Sequence, residues 1–392
     1  MQDVCAIERG APGLLPENAL LVTASVDAAA PDAASRLRRA LGDGPFSRVV
    51  LFVSPEADLT RFCDEFSQHF APDLVIGCTT AGEISRNGYT EGEIVAVAFP
   101  ASHFSTECLL VPDLTQIGAQ DLIGQLIRAR TALQQARPRW EHEFAFMMVD
   151  GLSTLEDDLA AAVAPGLGPV PLFGGSAADG VRFERTHVLW QGQILSNAAI
   201  VMLVRTICRV KVFNLDHLVP TDRRMVVTQA DPARRIVRQI NAEPAAWEYA
   251  RLLGKDPAQL TTFTFAAHPV VVRVGGRHHV RAIQRMDANG DLVFFSAIDE
   301  GLVLTLAEPQ NMVDHLDREL NGLSDHGPPA AILACDCILR RMEALEKQMS
   351  GTISTVLRNH KVVGFSTYGE QWNSMHVNQT MTGVAIYPPD PA

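Results

Sequence analysis

No stretch of this 392-residue sequence is apolar for long enough to cross a membrane. The longest unbroken apolar run, Ala198–Val204, falls far short of the ~18–20 residues that a spanning helix needs. Positive charge is also scarce: 33 Lys+Arg stand against 45 Asp+Glu, a formal net charge of −12, and no Lys/Arg-rich run occurs. So acidic a surface repels phosphate backbones, which argues against nucleic acid as a partner. The first thirty residues hold one basic residue, Arg9, and no apolar core ahead of a small-residue cleavage site. Secretion and membrane anchoring are therefore not expected, and the compartment reads as the cytoplasm. Seven cysteines, odd in number and scattered, make no disulfide framework, and the one close pair, Cys335 and Cys337, lacks the second pair of a zinc ribbon. They read as reduced thiols, mostly packing groups. What remains is 47% apolar and 20% charged, the composition of a packed protein, with room for two or three domains at ~150 residues each.

What the chain does have is internal repetition. Leu74-Val-Ile-Gly77-Cys-Thr-Thr80-Ala-Gly82-Glu83 near one end matches Lys361-Val-Val-Gly364-Phe-Ser-Thr367-Tyr-Gly369-Glu370 near the other, both ending in G-x-[ST]-T-x-G-E. A looser copy, Pro171-Leu-Phe-Gly174-Gly175-Ser176-Ala-Ala-Asp179-Gly180, lies between them. Each copy is preceded by an apolar run, Val49–Val53, Phe144–Val149 or Ala331–Cys335, of strand length and bounded by turn residues. A helical segment separates run and motif: Asp58–Phe66, Thr154–Val163, and a single stripe of Ile338, Met342, Leu345, Met349, Ile353 and Val356. Ser54, Ser153 and Asp336 offer capping chemistry near the three starts. A further strand follows each motif, at Ile94–Phe99, Ala198–Val204 and Met381–Tyr387.

The fold class is therefore α/β, with mixed sheets covered by helices, built on repeats of a strand–helix–strand–glycine loop–strand unit. A region of different character, roughly Asp231 to Gly322, separates the second and third units. It contains a helical segment over Ala233–Gly254 and strands over Val270–Val274, Val280–Met286 and Leu292–Ala297, the last two joined by a tight turn at Asp287-Ala-Asn-Gly290. The first fifteen residues and the Pro-rich tail after Tyr387 read as lacking elements.

A glycine motif at a strand end sits where open α/β sheets bind ligands. Its glycines permit close backbone approach, its hydroxyls donate and accept, and Glu83 and Glu370 suit an ammonium or a protein donor. The alternative is a tight strand-end turn in which the acid caps neighbouring backbone. The stretch Tyr368–Thr380 packs aromatic, amide and imidazole groups into a dozen residues, as a pocket for a small polar molecule would, without an HxxxH or HExxH metal pair.

Taken together, these residues resemble the FIST family of bacterial sensory proteins. Residues 45–235 look like its N-terminal domain, through Gly77-Cys-Thr-Thr-Ala-Gly-Glu83 and Phe173-Gly-Gly-Ser-Ala-Ala-Asp179. Residues 236–387 look like its C-terminal domain, through Ile240-Asn-Ala-Glu-Pro-Ala-Ala246, Met286-Asp-Ala-Asn-Gly290, Cys335-Asp-Cys337-Ile-Leu-Arg340, Gly364-Phe-Ser-Thr-Tyr-Gly-Glu370 and His376-Val-Asn378-Gln-Thr380. The resemblance implies a cytoplasmic small-ligand sensor. The chain leaves no room for a fused kinase or cyclase, so the output is expected to pass to a separate partner. The candidate ligand-binding residues are Gly77, Thr79, Thr80 and Glu83 in the first copy and Gly174 and Ser176 in the second. The third copy and its flank add Cys337, Arg340, Thr367, Tyr368, Glu370 and Asn378.

Within the family, the Tyr368-Gly-Glu-Gln and His376-Val-Asn-Gln-Thr pattern resembles the nitric-oxide-sensing members. The resemblance implies haem b and regulation of a separate histidine kinase or cyclic-di-GMP enzyme. An axial ligand would come from His376, His217 in Phe213-Asn-Leu-Asp-His-Leu-Val-Pro220, or His268 in Phe265-Ala-Ala-His-Pro269, only one being needed; Cys335 and Cys337 are weaker thiolate candidates. No C-x-x-C-H occurs, which excludes covalent haem attachment. Two alternatives stand beside this reading. One is a sensor of an amino acid or related metabolite, held by Glu83 and Glu370. The other is an enzyme using Cys78 or Ser176, neither of which has an assigned base, Ser176 also lacking G-x-S-x-G spacing.

Overall fold

The computed structural model describes residues 20–274, 276–325 and 327–389. The first fifteen residues, expected to lack elements, and the end of the tail therefore lie outside the described residues. Three repeats of one unit build most of the fold. The first runs β1 (Val22–Asp27), α1 (Ala33–Leu41), β2 (Phe46–Val53), α2 (Leu59–Phe66), β3 (Val75–Thr79), a hairpin of β4 (Glu83–Ser85) and β5 (Gly88–Thr90), then β6 (Glu93–Pro100). The second runs β7 (Phe104–Val111), α3 (Ala119–Ala136), β8 (His142–Val149), α4 (Glu156–Leu167), β9 (Leu172–Ser176), the hairpin β10 (Val188–Trp190) and β11 (Gln193–Leu195), then β12 (Ala199–Thr206).

The third unit opens with β13 (Val210–Leu215) and is then interrupted by an inserted region: β14 (Leu218–Asp231), β15 (Ile236–Ile240), β16 (Glu243–Pro244), α5 (Ala245–Leu253), α6 (Thr262–Ala267), β17 (Val270–Val274), β18 (Arg277–Arg281), β19 (Ile283–Met286), β20 (Leu292–Phe294) and β21 (Val303–Pro309). It resumes with α7 (Met312–Gly322), β22 (Ala331–Cys337), α8 (Ile338–Glu346), α9 (Ser350–Asn359), β23 (Val362–Thr367), the hairpin β24 (Glu370–Trp372) and β25 (Met375–Val377), and β26 (Met381–Ile386).

In each unit the strands before and after the crossover helix are parallel neighbours: β2 with β3, β8 with β9, β22 with β23. The hairpin that follows does not stay in its own sheet. The first unit's hairpin joins β23 of the third, the second unit's joins β3 of the first, and the third unit's joins β9 of the second. The three six-stranded sheets thus run β1-β6-β2-β3-β10-β11, β7-β12-β8-β9-β24-β25 and β13-β26-β22-β23-β4-β5, one pattern repeated in cyclic exchange. Inner faces of all three share one apolar core, where Phe52 stacks on Phe365 at 4.6 Å and meets Phe146 edge-on at 6.4 Å. Helices cover the outer faces, α1 and α2 over the first sheet, α3 and α4 over the second, and α7 to α9 over the third. The inserted strands form an eight-stranded sheet backed by α5 and α6.

Local expectations differ from the structure at four places. The segment over 233–254 is helical only from Ala245; Ile236, Val237 and Ile240 are buried in β15, and Pro244 bars a helix from running through it. The inserted region spans 218–309, because α7 packs with the third unit. The stripe over 338–356 is two helices, since Gln348 takes a left-handed φ of 55° between them. The N-cap positions fall to Asp58, Leu155 and Cys337, of which only Asp58 caps with its side chain; Ser54 and Ser153 accept bonds from Glu56 and Leu155 N–H, and Asp336 is engaged by Arg340. Asp287–Gly290 is the expected tight turn between β19 and β20, with Gly290 at φ 83°.

Candidate functional site

The hairpin exchange brings the three glycine motifs to one junction at the C-terminal ends of their strands. Ala81 N–H donates to Ser366 O at 2.8 Å and Ser366 N–H to Gly82 O at 2.7 Å, joining first to third. Ala178 N–H donates to Thr79 O at 2.9 Å and Gly180 N–H to Thr80 O at 3.1 Å, joining second to first. Ser176 N–H donates to Gly369 O at 2.8 Å, and Thr367 Oγ1 to Ser176 O at 2.7 Å, closing the ring.

Most motif side chains spend their chemistry on this junction. A Cβ at Gly77, Gly174 or Gly364 would strike the carbonyl oxygen of Leu51, Met147 or Ala334, each on the neighbouring parallel strand. The opening glycine of every copy therefore allows strand-to-strand approach. Thr80 Oγ1 donates to Glu83, whose other oxygen accepts Glu93 N–H at 3.1 Å. Glu370 accepts Thr380 N–H at 3.2 Å and Thr380 Oγ1 at 2.6 Å. Both acids thus staple a hairpin to its return strand, as the capping alternative holds. Burial pushes the Glu83 carboxyl up to about 7 against the pull of Thr80 and Glu93. Burial likewise drives Glu370 well above the carboxylate range, and its Oε1 has no partner among the described residues. Tyr368 donates to Asp179, which also accepts Phe183, Glu184 and Arg185 N–H at 2.8–2.9 Å and so shapes the loop after the second motif. Burial opposes the Asp179 charge, but these donors hold its carboxyl below the usual range.

The remaining candidates also lie inside the protein. Ser176 Oγ accepts from Gln371 Nε2 at 3.0 Å, and the same amide donates to His376 Nδ1 at 3.3 Å. Burial pushes the His376 imidazole down to about 4. Its Cε1 and Nε2 lie against Gly369, where a Cβ would overlap them. His217 has both ring nitrogens engaged: Nδ1 accepts Arg340 Nη1 at 2.9 Å and Nε2 donates to Glu343 at 3.0 Å. Arg340, fully buried, also binds Asp336 at 2.7 Å, and Tyr89 donates to the same carboxylate. Asn378 accepts Ser296 Oγ at 2.8 Å, tying the junction to the inserted sheet. His268, half-buried at the end of α6, is the one candidate histidine whose ring forms no hydrogen bond among the described residues. Cys78, Cys335 and Cys337 are buried thiols whose burial raises their pKa, and all six described cysteines are free. Among the described residues no group of three or more His, Cys, Asp or Glu could hold a metal ion.

Open space lies beside the junction. One cleft of about 260 Å³ is lined by Gly82, Gly180, Glu56, Glu91, Arg182 and Arg341, with Met342 and Leu345 on its α8 wall. A second, about 330 Å³, adjoins it through Ser54, Pro55 and Arg182 and reaches Thr79, Asp179, Arg185 and His187. Arg341 anchors the first cleft: its guanidinium donates to Thr90 O at 2.6 Å and Ser366 Oγ at 3.2 Å and faces Glu91 at 3.3 Å. Of the sequence-derived ligand residues only Thr79 borders this space. Arg341, Arg182, Glu56 and Glu91 were missed; the usable signal was the α8 spacing Ile338, Arg341, Met342, Leu345, which puts Arg341 rather than Arg340 on the cleft face.

Residues 47–243 match the FIST N domain and residues 245–373 the FIST C domain. The chain is also similar to "Uncharacterized protein MJ1623" of Methanocaldococcus jannaschii, 22% identical over 314 residues, which is 75% of this chain and 60% of that protein. The chain thus spans about 60% of the length of that relative. Among the described residues no helix is long and apolar enough to cross a membrane.

Proposed function

Because the chain belongs to the FIST family, whose domains are small-ligand-sensing signalling domains, we propose that it senses a small zwitterion of the amino-acid class. The observation that carries this reading is that cationic Arg341 and Arg182 and anionic Glu56 and Glu91 line one cleft floored by glycine loops of two motifs. Arginine suits the carboxylate and the acids suit the ammonium, while Met342 and Leu345 offer an apolar wall to a side chain. The signal passes to a separate cytoplasmic signalling protein, a histidine kinase or cyclic-di-GMP enzyme.

A thermal-shift screen against the amino acids tests this. A ligand present at ~100 times its dissociation constant stabilises the fold by ~2.7 kcal/mol. One or a few amino acids should raise the melting temperature, and Arg182→Ala, at an exposed position, should abolish the rise. A flat screen removes the reading.

A second reading is haem b sensing nitric oxide, and His268 favours it as the candidate histidine with an unengaged ring. His217 and His376 do not fit the role as they stand, since His217 has both nitrogens bonded and His376 is walled in by Gln371 and Gly369. Adding haem to the purified protein should then yield a Soret band that His268→Ala loses. No band, alongside an amino-acid shift, decides for the zwitterion.

A further inference from the structure

A cavity of about 520 Å³ lies away from the motifs, at the N-terminal ends of β22 and β23. Its floor is aliphatic, made by Leu20, Leu21, Val362 and Val363, with Ala330 and Ala331 beside them. The other lining residues are Thr23 and three cations: Arg86 in the β4–β5 turn, Arg358 in the last turn of α9, and Lys361 between α9 and β23. Among the described residues no carboxylate lines this space, although acids outnumber bases by twelve in the sequence. Among the described residues none of the three cations forms an ion pair.

The cations are held at the rim by local structure. Arg86 Nε donates to Thr23 Oγ1 at 2.9 Å, which leaves its two terminal nitrogens for another partner. Lys361 N–H donates to Arg358 O at 3.1 Å, and Lys361 takes a left-handed φ of 54°, so a tight turn carries both charges. Arg358 and Lys361 are exposed.

The geometry points to a binding site for a long-chain carboxylate, its alkyl tail on the aliphatic floor and its head among Arg86, Arg358 and Lys361. The volume lies within the range of small-molecule sites. A nucleotide fits less well, because none of the described lining residues offers an aromatic face to a base. An inorganic anion would leave the apolar floor without an occupant. A carboxylate takes paired hydrogen bonds from a guanidinium, and the tail leaves water as it covers the aliphatic floor.

Titration of the full chain with decanoate, dodecanoate and tetradecanoate at monomeric concentrations, read by calorimetry, tests the assignment. Affinity should rise about fourfold per added methylene while the tail finds floor to cover. Dodecanol, with the same tail and no charge, should bind at least tenfold more weakly than dodecanoate. The double substitution Arg358→Glu with Lys361→Glu, at two exposed positions, should cost at least tenfold in dodecanoate affinity and leave the unfolding midpoint and the amino-acid response unchanged. Three results overturn the assignment: no binding of tetradecanoate, equal affinity for alcohol and carboxylate, or binding only to anionic vesicles.

Discussion

Glu83 is a carboxyl held inside the protein by two donors and opposed by its own burial. With its folded value near 7 and an ordinary value of 4.5, the folded state holds the proton more tightly than the unfolded chain does. Its contribution to stability is therefore full below pH 4.5 and is lost as pH rises towards 7, by about 3 kcal/mol in all. Glutamine keeps the geometry without the ionisation: its carbonyl takes Glu93 N–H, and its amide donates to Thr80, whose proton turns to Val53 O. The stability difference between Glu83→Gln and the unmodified protein should thus shift in favour of the variant between pH 5 and pH 8. Urea unfolding at the two pH values checks this; a difference that stays constant would mean that Glu83 does not titrate there. The residue scale also separates Arg340 from Arg341. They are adjacent in sequence, yet one position is about 100° around a helix, so one lies buried against Asp336 and His217 and the other faces the cleft.

At the scale of elements, the parallel strand pair recurs in all three units with a glycine at the same register. Gly77 pairs with Leu51, Gly174 with Met147 and Gly364 with Ala334, and in each case the partner's carbonyl occupies the space of a Cβ. Alanine at Gly77 or Gly174 should cost about 1–3 kcal/mol, the range for overpacking. Gly364→Ala should cost more, because Gly364 also has φ 153°. Denaturation midpoints of the three variants check the order. These pairs and their crossover helices were legible in the sequence, because a run of apolar residues, a 3.6-residue stripe and a turn motif are encoded locally. The hairpins were not, since β4, β10 and β24 are each three residues long and nothing in so short a strand specifies its partner.

At the scale of the molecule, each of the three six-stranded sheets is completed by a hairpin from another unit, so no unit closes its own edge. A fragment of residues 20–206 lacks β23, on which β4 pairs, and β24, on which β9 pairs. It should show no cooperative unfolding transition alone, and co-expression with the remainder of the chain should restore one. Independent folding of the fragment would show that the exchanged hairpins are dispensable. By itself the sequence determined the α/β class, the threefold repeat and the motif positions, because these follow from periodicity and turn chemistry within some tens of residues. Only the tertiary structure decided that the motif acids serve as staples, that both nitrogens of His217 are engaged, and that a cleft opens beside Arg341. Those outcomes depend on which open sheet edge each hairpin meets, and that choice is made by contacts between residues more than a hundred positions apart.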